Sequence, residues 1–229
     1  MKNKITSVVI PAYNEEQSIG KVVADIDRDL VNHVIVVNNN STDNTVEVAK
    51  NAGAIVLDEP RKGYGWACLK GIAECKRLNT EIIVFLDGDY SDYPEEIKDV
   101  IAPILHEDKD LVIGSRVLGK REKGSLTPQQ VFGNWLATKL IRIFYRGKFT
   151  DLGPFRAMKF ASLQKLGMAD KTYGWTIEMQ IKVLKNKMSY CEVPVNYKRR
   201  IGVSKVSGTV KGTIFAGIKI IFAVFKYLF

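Results

Sequence analysis

Phe85-Leu86-Asp87-Gly88-Asp89 closes an apolar run with two carboxylates one residue apart. Oxygens at that spacing reach a single divalent cation. Mg²⁺ and Mn²⁺ favour such ligands, with phosphate and water completing the shell. A cation held there offsets the charge that builds on a leaving diphosphate. Asp-Gly is also common turn chemistry, so the pair alone leaves both readings open. Asp92 follows, just ahead of Tyr93-Pro94-Glu95-Glu96. A helix cap is the expected role there, ahead of a catalytic base.

Arg61-Lys62-Gly63-Tyr64-Gly65 forms a second group, at the start of an expected helix. Glycines in such a place let backbone N–H groups approach a phosphate, which makes Lys62 and Gly63 candidate ligands of a nucleotide. The run nearly matches a dinucleotide fingerprint, with Cys68 in the third glycine position and Asp87 as the following acid. A nicotinamide-dependent oxidoreductase is therefore an alternative. Against it, the glycines do not open the first β-α unit, and Glu59 to Lys62 separate them from their strand. A third group is basic: Arg116, Arg121, Lys123, Arg156, Arg199, Arg200 and Lys205. Arginine holds phosphate in a fork and lysine as a point charge. Lys120 to Lys123 also suit a solvated basic face. Gly202 and Ser204 in the last stretch suit a loop that closes on a ligand.

These groups need a scaffold that brings them together. β-Branched runs at Ile5–Ile10, Val34–Val37, Ala54–Leu57, Ile82–Leu86 and Asp110–Ile113 read as strands. Helices are expected at Glu16–Leu30, Asp43–Ala52, Tyr64–Leu78 and Pro94–Leu105, the last with proline in its first turn. Strands alternating with helices imply an α/β fold with parallel β-α-β units. Ligands then sit beyond the carboxyl ends of the strands. Those ends carry Pro11-Ala-Tyr-Asn-Glu15, Asn38-Asn-Asn-Ser-Thr-Asp43, Asp87-Gly-Asp89 and Gly114-Ser-Arg116. Beyond them, residues 117–130 read as a mobile loop, Val131–Tyr145 and Trp175–Lys187 as helices, and Tyr190–Tyr197 as a strand.

The chain has 229 residues, 46% of them hydrophobic, enough for one large domain and not for a disordered chain. Its net charge of +9 favours phosphate-rich partners. Cys68, Cys75 and Cys191 lack metal-ligand spacing and suit reduced thiols; with no signal peptide at the start, a cytoplasmic location is expected. Residues 1–208 read as the domain and 209–229 as a separate apolar helix. Lys211, Lys219 and Lys226 fall on one helical stripe of that segment, which suits a helix in the lipid interface at the inner face of a membrane. A core helix, or the first span of a longer protein, are the alternatives.

As a set, Val8-Val-Ile-Pro-Ala-Tyr-Asn-Glu15, Ser41-Thr-Asp43, Asp87-Gly-Asp89 and Gly114-Ser-Arg116 resemble family 2 glycosyltransferases of the GT-A fold, a mostly parallel sheet flanked by helices. Asp151-Leu-Gly-Pro-Phe-Arg156, Gly174-Trp-Thr-Ile-Glu178, Glu192-Val-Pro-Val and Arg199-Arg200 before Ser204-Lys205 resemble the polyprenyl-phosphate branch of that family. The resemblance implies an inverting hexosyltransferase using Mg²⁺ or Mn²⁺. Its donor is a nucleotide-diphosphate sugar. Its acceptor is a polyprenyl phosphate met at a membrane surface, with a hydroxyl acceptor as the alternative and no nucleic acid partner. By the same resemblance Pro11, Tyr13 and Glu15 line the nucleoside pocket, joined by Asn38, Asn39 and Asp43. Asp87 and Asp89 face diphosphate and metal with Ser91 near the third ligand position, Arg200 and Lys205 clamp the diphosphate, and Arg116 and the Arg121 region meet the acceptor phosphate.

Asn38-Asn39 stand where the family usually has paired aspartates. An amide both donates and accepts, as a uracil edge requires, whereas a carboxylate suits guanine. A UDP-sugar is therefore expected ahead of GDP-mannose. A phosphate acceptor is already ionised and needs no strong base. Beyond Asp92, Asp151 and Glu178 no carboxylate offers itself as one, and Glu178 is expected to pair with an arginine instead.

Overall fold

Consecutive β-branched residues that bury both faces make the inner strands of a parallel sheet. Val8, Val9 and Ile10 lose all solvent exposure, as do Val36 and Val37 and Ile82 to Val84. The computed structural model describes residues 4–202 and 222–228. Among them seven strands form one sheet: β1 (Thr6–Ala12), β2 (His33–Asn38), β3 (Ile55–Asp58), β4 (Ile82–Phe85), β5 (Leu111–Ser115), β6 (Arg156–Lys159) and β7 (Tyr190–Pro194). Their order is β3-β2-β1-β4-β6-β5-β7. All pairings are parallel except those of β6, which runs antiparallel to both β4 and β5.

Side chains alternate across each strand, so the sheet feeds two cores. Val9, Ile35, Ile83 and Phe85 pack on one side with α3 (Tyr64–Arg77), α5 (Pro128–Tyr145), α6 (Phe160–Leu166) and α7 (Trp175–Lys185). Val8, Ile10, Val34 and Val84 pack on the other with α1 (Ile19–Ala24), α2 (Thr45–Asn51) and α4 (Ile97–His106). The chain leaves β1 toward β2 on one side and β4 on the other. That reversal opens a crevice at their carboxyl ends. The exits are close: a Cβ on Gly88 would stand 3.4 Å from the Pro11 carbonyl.

Several elements differ from the sequence reading. The first helix is one and a half turns long, because Asp27 accepts the Asp29 N–H at 2.9 Å and turns the chain. Only parallel β-α-β units were expected, whereas β6 (Arg156–Lys159) is antiparallel and is followed by the unforeseen α6. Residues 117–127, expected as a mobile loop, are tied to the stretch after β7. Glu122 N–H donates to the Tyr197 carbonyl and Tyr197 N–H to that of Lys120, both at 2.9 Å. Most of the expected C-terminal helix lies outside the described residues. Its last part, 222–228, packs on the domain: Val224 is fully buried, the Tyr145 hydroxyl donates to its carbonyl, and the Tyr227 hydroxyl donates to Glu178 at 2.7 Å.

Gly63 and Gly65 have a packing role. A Cβ on Gly65 would stand 2.1 Å from the Asp170 carbonyl oxygen, and one on Gly63 2.2 Å from that of Lys171. Both therefore admit the backbone between α6 and α7. Gly65→Ala is expected to destabilise the fold by about 1–3 kcal/mol through overpacking. Gly133→Ala, inside α5 with nothing within 4 Å, should stabilise it by about 0.5–1 kcal/mol. Urea unfolding of the two variants checks both signs.

Candidate active site

The site is built where β4 leaves the sheet. Leu86 is buried, and the next turn carries Asp87, Asp89, Ser91 and Asp92. Asp89 is 5% exposed. Its Oδ1 accepts from the Ser91 N–H at 3.0 Å and the Ser91 hydroxyl at 2.5 Å, and its Oδ2 meets Arg200 Nη1 at 2.8 Å. Ser91 Oγ lies 3.0 Å from the Tyr197 hydroxyl. Burial, and then the charge of Asp89, push the Asp87 carboxyl up to about 6. Arg200, Arg116 and a hydrogen bond from Tyr64 pull the other way. Asp92 is 2% exposed, and neither of its oxygens meets a hydrogen-bond donor of good geometry among the described residues. Burial, Asp87 and Asp89 hold it well above the usual carboxylate range. The expected cap is absent: the 3-10 turn Pro94–Glu96 has no side-chain cap.

A strap of chain after β7 closes over this turn. Lys198 N–H donates to the Ser91 carbonyl and Ile201 N–H to that of Asp89, each at 2.9 Å. The strap delivers Tyr197 and Arg200 to the carboxylates. Burial pushes the Tyr197 hydroxyl up to about 12, with Asp89 and Asp92 adding to it against Arg116. Lys205 lies outside the described residues. Tyr64 and Tyr197 were not among the sequence candidates. The signal for Tyr64 was its place between two glycines, and for Tyr197 its step ahead of Lys198-Arg199-Arg200.

Arg116 stands 5.0 Å over the Tyr197 ring. Its fork is held by Asp151, with Nε to Oδ2 at 2.8 Å and Nη2 to Oδ1 at 2.7 Å. Burial would raise Asp151, but Arg116 outweighs it and holds the carboxyl below its ordinary value. Asp151 is thus an ion-pair partner, not a base. Glu178 pairs with Lys182 at 2.8 Å, not with an arginine, and accepts the Ala169 and Asp170 N–H groups. Arg156, expected at a phosphate, is 1% exposed and donates to the carbonyls of Leu152, Gly153 and Thr176. Burial pushes it down to about 10. It staples the β6 start to α7.

The crevice beside Asp87 is lined by the exits of β1 and β2. Pro11 and Glu15 are half-buried and Tyr13 is 36% exposed. Both amide hydrogens of Asn39 are used in structure: they go to the carbonyls of Glu59 and Arg61, and its Oδ1 accepts from Gly63 N–H at 2.8 Å. Asn38 donates to Asp58 and accepts from Ser41 N–H. Of the two, Asn38 alone keeps an amide hydrogen beyond these bonds. Asp43 is also structural, accepting from Thr45 and the Glu16 N–H. Lys62 is exposed, and Gly63 faces Lys171 rather than an open phosphate site. On the far side of the Arg116–Asp151 pair, a cavity of about 390 Å³ opens under α5. Arg121, Leu126, Trp135, Lys139 and Arg142 line it, with Asp151 at one wall.

Among the described residues no three His, Cys, Asp or Glu converge on a metal-sized point. Asp87 and Asp89 can supply two carboxylate oxygens and Ser91 a hydroxyl. That donor set fits Mg²⁺ or Mn²⁺, which bind through one or two carboxylates with substrate phosphates and water.

A model of glycosyl transferase family 2 matches residues 7–167. A Mycobacterium tuberculosis protein described as an uncharacterized glycosyltransferase is 33% identical over 219 residues, 94% of this chain and 96% of its own. A UDP-N-acetylglucosamine–dolichyl-phosphate N-acetylglucosaminyltransferase of Methanococcus voltae is 30% identical over 217 residues, 85% of this chain and 86% of its own. Glucosyl-3-phosphoglycerate synthase of Mycobacterium tuberculosis, solved with Mn²⁺, UDP and glucosyl-3-phosphoglycerate, superposes with a TM-score of 0.77 at 22% identity. That match covers 97% of this chain and 79% of the synthase.

Asp151→Asn strips Arg116 of its buried partner and should cost about 3–5 kcal/mol at neutral pH. The folded carboxyl sits below its unfolded value, so its stabilisation is full above the aspartate range and lost as pH falls through it. The stability gap between wild type and variant should therefore narrow on acidification, as urea titrations at a series of pH values will read.

Proposed function

Because the chain belongs to glycosyl transferase family 2 and has a GT-A fold, we propose that it moves a hexose from a UDP-sugar to a polyprenyl phosphate, with inversion and with Mg²⁺ or Mn²⁺. The observation that carries this reading is the Asp87–Asp89 pair at the β4 exit, with Arg200 drawn onto Asp89 at 2.8 Å. Asp87, Asp89 and Ser91 would hold the metal, which when bound neutralises charge on the leaving diphosphate. Arg200 adds a fixed cation beside it. Burial would lower its basicity, but Asp89 outweighs that, so it stays charged. Pro11, Tyr13 and Glu15 would border the nucleoside. Uracil recognition by an amide now rests on Asn38, since Asn39 is spent on backbone groups. The UDP-sugar in the name of the archaeal transferase supports the same donor, as does the UDP solved with the mycobacterial synthase.

Few of the described carboxylates are left to act as a strong base. Asp151 and Glu178 are committed to cations, and burial with the charges of Asp87 and Asp89 disfavours the ionised form of Asp92. An acceptor phosphate carries its own negative charge and attacks the anomeric carbon without a base. The new bond joins phosphate oxygen to the sugar as the bond to the diphosphate breaks. The cavity under α5, basic and apolar together, suits a phosphate on a hydrocarbon chain. The name of the Methanococcus voltae relative supports this acceptor class.

Asp89→Ala should lower transfer at least about a hundredfold with the fold intact, and Asp87→Ala should weaken UDP binding in Mn²⁺. Calorimetry with UDP, GDP and a nicotinamide dinucleotide separates the donors. UDP should bind tightest and need the divalent ion; tight metal-free binding of the dinucleotide alone would return the case to an oxidoreductase. Transfer to a soluble alcohol with polyprenyl phosphate ignored would refute the acceptor.

A further inference from the structure

Tyr197 is one of the largest side chains that the fold buries. Its backbone is tied to two segments. Its N–H donates to the Lys120 carbonyl and its own carbonyl accepts from the Glu122 N–H, both at 2.9 Å. The next residue, Lys198, donates its N–H to the Ser91 carbonyl at 2.9 Å. The Arg116 guanidinium lies 5.0 Å over the ring, within reach of its negative face. These contacts place the ring without calling on its hydroxyl. A phenylalanine would fill the same space. The hydroxyl is instead aimed at the carboxylate turn, 3.0 Å from Ser91 Oγ.

Counting protons at Ser91 gives the direction of that bond. A serine hydroxyl has one proton and two lone pairs. Ser91 Oγ has two partners, Asp89 Oδ1 at 2.5 Å and the Tyr197 hydroxyl at 3.0 Å. Asp89 is an ion-pair partner of Arg200 through its other oxygen, and an ionised carboxylate only accepts. The single serine proton therefore goes to Asp89. Tyr197 must donate to Ser91, while its own oxygen accepts from Arg200. Arg200, Tyr197, Ser91 and Asp89 thus close a ring of hydrogen bonds. Together they select one of the staggered serine rotamers. One lone pair of Ser91 Oγ remains, on the oxygen that completes the Asp87, Asp89 and Ser91 donor set.

We propose that Tyr197 is a positioning residue for the divalent cation: its hydroxyl holds Ser91 Oγ so that the remaining lone pair is offered to Mg²⁺ or Mn²⁺. The proposal deepens the functional reading and rests on it for the metal. A hydrogen-bond partner behind a metal ligand orients the ligand and raises its basicity. Serine needs such support more than a carboxylate does, because it brings no charge of its own to a hard cation. The support comes from the strap after β7, 106 residues beyond Ser91 in the chain. The same strap sets Arg200 on Asp89 at 2.8 Å. A closed strap therefore prepares two members of the donor set at once.

Calorimetry of UDP binding over a series of Mn²⁺ concentrations tests this without sugar transfer. Tyr197→Phe keeps the ring and its contact with Arg116. It should raise the Mn²⁺ concentration for half-maximal UDP binding at least about tenfold, with the thermal midpoint close to that of wild type. Ser91→Ala should give a similar shift, and Tyr197→Phe added to it should change little further, as expected of two groups acting through one oxygen. An unchanged Mn²⁺ requirement in Tyr197→Phe overturns the proposal. So does a second full shift in the double variant, which would have the hydroxyl act by a route other than Ser91. So does an equal loss of UDP affinity with and without Mn²⁺, which would assign the hydroxyl to Arg200 or to the nucleotide. A large fall in the thermal midpoint of Tyr197→Phe also overturns it, by making the bond structural. A wild type whose UDP binding ignores Mn²⁺ would instead overturn the metal reading itself, and this assignment with it.

Discussion

Crowding of negative charge at the β4 exit is the constraint that the surrounding structure answers. Asp87, Asp89 and Asp92 are brought together in one turn, where Asp89 raises the cost of ionising Asp87 and both raise it at Asp92. Isolated buried carboxylates would simply take up protons. Here Arg200 is set on Asp89, Arg116 stands nearby with Asp151, and Tyr64 and Tyr197 supply hydroxyls at the margins. Much of the strap after β7 follows from this need. Its hydrogen bonds to the carbonyls of Ser91 and Asp89 fix the residues that carry counter-charge.

The antiparallel β6 extends the same edge. A parallel strand would have its start at the opposite side of the sheet. Because β6 runs backward, Arg156 at its start pairs with Phe85 at the end of β4 and with Ile113 near the end of β5. Residues 150–155 are thereby brought to the rim where the parallel strands finish. Asp151 reaches Arg116 for this reason, and Glu192 on β7 steadies the approach by accepting the N–H groups of Thr150 and Asp151. One reversed strand thus supplies the wall between the carboxylate turn and the cavity under α5.

The parts legible in the sequence were those fixed by local pattern. The β-branched strands, their polar exits and the Asp-Gly-Asp turn are encoded within a few residues of themselves, and they were found. The misreadings of Gly63, Gly65 and Asn39 share a source, a partner distant in sequence. Gly63 and Gly65 look like a phosphate loop until Asp170 and Lys171 are seen against them. Arg156 resembles a phosphate ligand until carbonyls from Leu152 to Thr176 enclose it. Asn39 resembles a base reader until the loop from Glu59 to Gly63 consumes its amide. Asp92 precedes a proline-led turn and invites a cap, yet it is buried beside Asp87 and Asp89 and the turn has no side-chain cap.

Those same long-range partners decide what chemistry is left over. Each carboxylate spent on an arginine, a lysine or a run of backbone N–H groups is one fewer base. Asp151, Glu178, Glu192 and Asp43 are all spent in this way. Each arginine left outside such a pair is one more counter-ion for a ligand. Arg121, Lys139 and Arg142 face the cavity, and among the described ion pairs none engages them. The carboxylates are gathered at one point of the edge, and these unpaired cations are gathered at the cavity beyond the Arg116–Asp151 pair. The net charge of +9 has its physical meaning there. On the proposed reading it supplies an attractive field for phosphate-bearing ligands, and the acidic turn is where a divalent cation would be held.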